Sequence, residues 1–169
     1  YPHPLVVALV LSLGAVWGQA AQANEAAPQE VRPIFSRDGT KLASAAADGG
    51  VTVLDLAPGR LPAPLGDGLD AAAALAFSPD GQVLASAKDN AVSLWDVADG
   101  TKKTVLQVAP GRSVTRLAFS PGGDRLAAIV DGSKIVVWEL QTESVGTVLS
   151  RQSEAVTEIA FSADGRSLA

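Results

Sequence analysis

Phe-Ser pairs stand at Phe35-Ser36, Phe77-Ser78, Phe119-Ser120 and Phe161-Ser162, 42 residues apart each time. A spacing that returns three times marks one repeated supersecondary unit, and every local reading has to fit inside it. Gly follows each Phe four residues later (Gly39, Gly81, Gly123, Gly165), and Leu follows seven later (Leu42, Leu84, Leu126, Leu168), with Ala next in every copy. With 16 Gly and 10 Pro in 169 residues, no long helix fits the period. Ala71 to Ala74 is the one stretch of helix-like composition, and it is too short to matter.

The unit can be read from its turns. In Ser78-Pro79-Asp80-Gly81, Pro suits the first central position of a type I turn, Asp the second, and Gly the left-handed position that closes a three-residue hairpin loop. The other copies read SRDG, SPGG and SADG and keep the final Gly. One strand therefore enters near Leu75–Phe77 and another leaves near Val83–Ala87. A second turn is predicted at Lys88-Asp89-Asn90, or Asp131-Gly132-Ser133 in the next copy, followed by the third strands AVSLWDV and KIVVWEL. These are apolar at nearly every position, as suits a strand covered on both faces. A looser connection, which includes Lys102-Lys103, leads to a fourth strand, TVLQV or VGTVLS. Four short antiparallel strands per period make one blade of a β-propeller, an all-β fold.

Copies starting near Gln29, Ala71, Ser113 and Ala155 give blades at 29–70, 71–112 and 113–154 and a partial blade at 155–169. A propeller protects its strand edges by closing a ring, and seven blades of this period need roughly 290 residues. The sequence is thus expected to be a piece of a longer protein, with residues 24–169 alone prone to aggregate through open edges.

Residues 1–23 contain no Asp, Glu, Lys or Arg, and Leu5 to Gly18 is an apolar run. Ala21-Gln22-Ala23 follows it, a small-x-small pattern that a signal peptidase accepts. This predicts a signal peptide cut after Ala23, a linker at 24–28, and an exported chain, periplasmic or extracellular. The alternative is an uncleaved anchor, for which the run falls short of the ~20 apolar residues of a spanning helix; membrane contact is expected through this segment alone. A basic leader and a Met are both missing, so the natural start is expected upstream of Tyr1.

Period, turn and Leu94-Trp95-Asp96, echoed by Val137-Trp138-Glu139 and Leu54-Asp55, resemble the WD40-repeat propellers, bacterial and exported in style. In that family an Asp of the second turn, a Ser or Thr three residues earlier, the third-strand Trp and a His before the first strand brace each blade. The resemblance assigns Ser86, Asp89 and Trp95 to this network in the second copy, Asp131 and Trp138 in the third, and Asp48 in the first. Ala128 replaces the Ser in the third copy and Leu54 the Trp in the first. The His is absent; Asp67-Gly68, Ala109-Pro110 and Arg151-Gln152 fall where Gly-His is expected. A similar FSPDG opening occurs in Tol-type propellers and in the gating propellers of some serine peptidases.

Few chemistries fit this composition. The one His, His3, lies in the predicted signal peptide, and there is no Cys. That leaves no Ser-His-Asp triad, no imidazole or thiolate metal site and no thiol nucleophile beyond residue 23. No cofactor is expected. A formal charge of −5 with scattered basic residues argues against nucleic acid. What remains is a protein-interaction scaffold. By the same resemblance its partner-binding face is formed by the loops around Lys88, Asn90, Arg112 and Arg151. The alternative is an accessory propeller of a larger exported enzyme, with its catalytic domain beyond residue 169.

Overall fold

The computed structural model describes residues 33–45, 50–59, 61, 63–65, 72–142, 144–149 and 155–169. The expected signal segment, the linker, Asp48 and Arg151 lie outside the described residues. Among those described, no helix is long and apolar enough to cross a membrane.

Three antiparallel sheets of four strands follow one another along the chain. The first contains β1 (Ile34–Phe35), β2 (Lys41–Ala45), β3 (Val51–Asp55) and β4 (Ala63–Leu65). The second contains β5 (Ala74–Phe77), β6 (Val83–Lys88), β7 (Ala91–Asp96) and β8 (Lys102–Gln107). The third contains β9 (Val114–Phe119), β10 (Arg125–Val130), β11 (Lys134–Glu139) and β12 (Ser144–Leu149). Each is a simple meander in which neighbours in sequence are neighbours in the sheet. The first strands of successive sheets touch, β1 against β5 and β5 against β9, so the sheets stack face to face as blades around an axis. A fourth unit has begun: Phe161 bridges Leu168 across the turn at 162–167.

The apolar runs are explained by burial on both faces. Along β7, Val92 and Leu94 pack towards the third blade, whereas Trp95 turns back onto the first. Along β10, Leu126, Ala128 and Val130 face the second blade, while Ala127 faces the fourth unit, where Ile135 and Val137 meet Val156, Ile159 and Phe161. Each Val or Leu withdrawn from water in this way contributes about 1.5–3 kcal/mol. The second strands carry Ala43, Ala85 and Ala127, all fully buried, where a larger side chain would hold the blades apart.

The strand register aligns the three copies. Leu84 pairs with Trp95, Leu126 with Trp138 and Leu42 with Leu54. Leu54 thus stands where the later blades place a Trp. Next to both Trp residues the pairing with the outer strand slips, between Leu94 and Trp95 and between Val137 and Trp138. Such a bulge increases local twist. One expectation needs correcting: Lys102 and Lys103 belong to β8 rather than to the connection before it. Lys102 Nζ lies 4.7 Å over the Trp95 ring, and Lys103 Nζ sits 2.9 Å from Asp96 Oδ2. Both cations have partners on the neighbouring strand, which draws them into the sheet.

Candidate functional site

Every blade has two ends, and the alternating direction of its strands decides what each end presents. Phe77 closes β5 and Lys88 closes β6, so the FSPDG turn and the Lys88–Asn90 turn lie at opposite ends of a strand of six residues, about 20 Å apart.

The Lys88 end carries the face expected from sequence. Asp89 and Asp131 both adopt positive φ, 49° and 51°, a region Asp tolerates through local hydrogen bonding. The Asp89 carbonyl accepts the Val114 amide at 2.8 Å. Asp131 is held by its side chain: the Ser113 amide donates at 2.8 Å and Arg112 Nη1 at 2.7 Å. These contacts, the amide first and then the guanidinium, keep the Asp131 carboxyl below its usual range. In the third blade, where the family's His is absent, the groups meeting the turn Asp are Arg112 and the Ser113 amide, in the loop before β9. Asn90 is tied to Val108, accepting its amide at 2.9 Å and donating through Nδ2 at 3.4 Å. Lys88 is half-buried.

Within the second blade, Trp95 Nε1 donates to Ser86 Oγ at 2.9 Å, with both residues buried. Trp138 is buried to 1% exposure, with Ala128 at the place where Ser86 stands in the blade before. Removing the hydroxyl with Ser86→Ala leaves a buried indole N–H unpaired, a loss of about 1–3 kcal/mol. Chemical denaturation followed by Trp fluorescence measures it, and an unchanged midpoint would mean that the bond carries no net energy.

The opposite end holds features that the sequence reading used only as register marks. In each turn the Ser hydroxyl donates to an Asp at 2.5–2.7 Å: Ser36 to Asp38, Ser78 to Asp80, Ser120 to Asp124 and Ser162 to Asp164. The same oxygen accepts the amide five residues on, at 2.9–3.0 Å. Ser36, Ser78 and Ser120 are buried, so each supplies a polar core that closes its own turn. In the third turn Gly122 occupies the usual Asp position, and Asp124, two residues later, reaches the same Ser120 hydroxyl. All four Asp carboxyls are held below their ordinary range, chiefly by the Ser hydroxyl.

These turns also touch from blade to blade. A Cβ built on Gly123 would lie 3.5 Å from Pro79 Cδ, and one on Gly165 would lie 3.5 Å from Pro121 Cδ. Arg125 Nη1 reaches the Gly165 carbonyl at 3.4 Å. At their inner side Phe35, Phe77, Phe119 and Phe161 surround an open cavity of about 350 Å³. Arg37, Pro79, Pro121 and Ala163, the residues after each Phe-Ser pair, complete its wall with Ser78 and Ser120. A repeated Phe beside a tight turn on the first strand of each blade was the available sequence signal.

Residues 70–96 match the family described as WD domain, G-beta repeat. The chain is 33% identical over 129 residues to an uncharacterized WD repeat-containing protein of Synechocystis, covering 76% of this chain and 37% of that protein. It is 34% identical over 133 residues to the WD repeat-containing protein SL1-17 of Schistosoma mansoni, covering 78% and 43%. The chain thus spans less than half the length of these relatives. In fold it is similar to a chain of hydrazine synthase from Kuenenia stuttgartiensis, with a TM-score of 0.71 at 19% identity, over 89% of this chain and 44% of that one. With a repeat matched in sequence and sheets that stack as blades, this chain belongs to the WD40-repeat β-propeller family.

Proposed function

We propose that the chain is part of a non-catalytic scaffold that binds a protein or peptide partner outside the cytoplasm. The observation that carries this reading is the division of labour within the blade. Both faces of the middle strands are spent on blade-to-blade packing, so what is left to meet another molecule is the outer strands and the loops and turns at the two ends. Loops held on a rigid sheet are well suited to recognition. WD-repeat propellers are used mainly in this way. Export is supported by the apolar run and the Ala21-Gln22-Ala23 pattern.

Two measurements test it. Cross-linking in the source cell, followed by reciprocal purification, is expected to return one defined partner whose recovery drops when end-loop residues are changed. A partner retained by variants at both blade ends would overturn the reading. Alkaline phosphatase fused after residue 28 is expected to be active, since that enzyme matures only outside the cytoplasm. An inactive fusion would remove the exported location and leave the scaffold.

A further inference from the structure

Arg37 breaks the symmetry of the turn-end cavity. The second and third turns place Pro79 and Pro121 after the Phe-Ser pair, and each Pro ring packs on the Gly of the next turn. The first turn has Arg37 there, and Gly81 meets Ser36 Cβ instead. The Arg37 side chain lines the cavity as the one charged group among its described residues. No hydrogen bond or ion pair occupies its guanidinium among the described residues. The acidic groups nearby are already engaged, because Asp38 and Asp80 each take the hydroxyl of their own turn's Ser and a neighbouring amide. The cations of the other blade end differ: Arg112 is committed to Asp131.

We infer that the turn-end cavity takes a short segment of the protein partner in which one carboxylate stands beside apolar side chains. The carboxylate pairs with Arg37, and the apolar groups lie against Phe35, Phe77 and Phe119. A guanidinium offers a carboxylate two parallel donors, a strong and directional contact. Phe77 and Phe119 are half-buried and line the cavity. A volume near 350 Å³ is at the small end for ligand sites and has room for one or two side chains rather than a folded element. The inference rests on the scaffold reading and names the partner's chemistry.

The test uses two synthetic peptides, acetyl-Leu-Phe-Asp-Leu-amide and its Asn counterpart, titrated into the purified protein and followed by isotope-edited NMR. The Asp peptide is expected to bind at least tenfold tighter than the Asn peptide, with shifts at Phe35, Phe77 and the Arg37 side chain. Arg37→Gln should abolish that tenfold difference by weakening the Asp peptide far more than the Asn peptide. Phe35→Ala should weaken both peptides. Equal binding of the two peptides, or a difference that survives Arg37→Gln, overturns the inference. Shifts centred on Asn90 and Arg112 would also overturn it while keeping the scaffold reading. If neither peptide binds, the inference fails; the scaffold reading then stands or falls on the cross-linked partner.

Discussion

Trp138→Ala is expected to lower the free energy of unfolding by about 3–5 kcal/mol, the range for truncating a large buried aromatic side chain. Trp138 is 1% exposed and lies between the second and third blades, in one cluster with Leu94, Leu106 and Leu126. Its loss removes contacts on both sides of a blade junction, and small neighbours such as Ala74 and Ala85 have no reach to fill the space. Urea unfolding of the variant beside the natural protein measures the change. The matching change at the equivalent place in the first blade, Leu54→Ala, removes a smaller side chain that is 9% exposed and should cost less, about 2–3 kcal/mol. Equal losses at the two positions would mean that the blade junctions do not carry the stability attributed to them here.

Acid is expected to unfold the protein through its turns. The Asp38 carboxyl is pulled from its ordinary 3.8 down to about 2, first by the Ser36 hydroxyl and then by the Thr40 amide. Asp80, Asp124 and Asp164 are lowered by the Ser of their own turns, Asp96 by Lys103, and Asp131 by the Ser113 amide. A carboxyl whose folded pKa is depressed holds protons less readily than in the unfolded chain. Its contribution is complete above the unfolded value and is lost as pH falls through the folded one. The melting temperature should therefore hold steady above pH ~5 and then fall steeply between about pH 4 and 2. Circular dichroism melts across that window measure it. Ser78→Ala, which removes the first cause of the Asp80 shift, should make the acid loss shallower while lowering stability at neutral pH. A Tm that is flat down to pH 2 would show that the turn carboxylates do not couple to folding.

The blade was legible in the sequence because its signals are local. Positive φ at the turn Gly, 68° at Gly81 and 74° at Gly123, follows from a tight hairpin loop that any copy must make. The apolar third strands likewise announce two buried faces, and the register places Leu54, Trp95 and Trp138 at one equivalent position. Trp95 Nε1 donates to Ser86 Oγ within the second blade. In the third copy the family's His is absent, and Asp131 meets Arg112 and the Ser113 amide instead. The position of Arg112 depends on the path of the loop before β9, and no period fixes that path.

What sequence pattern alone established is the repeating unit: its turns, its strands and the faces they bury. Turn chemistry and two-residue alternation act over a few neighbouring residues, and a 42-residue period shows them in every copy. Tertiary packing decided how the copies converge. Four Phe residues separated by 42, 84 and 126 positions along the chain meet around one cavity only because successive first strands pack together. Among the described residues, packing likewise left Arg37 without a partner and gave Arg112 one. A repeat writes the same local instruction into each blade, whereas which charge stays free depends on contacts between blades, and those exist only once the sheets have stacked.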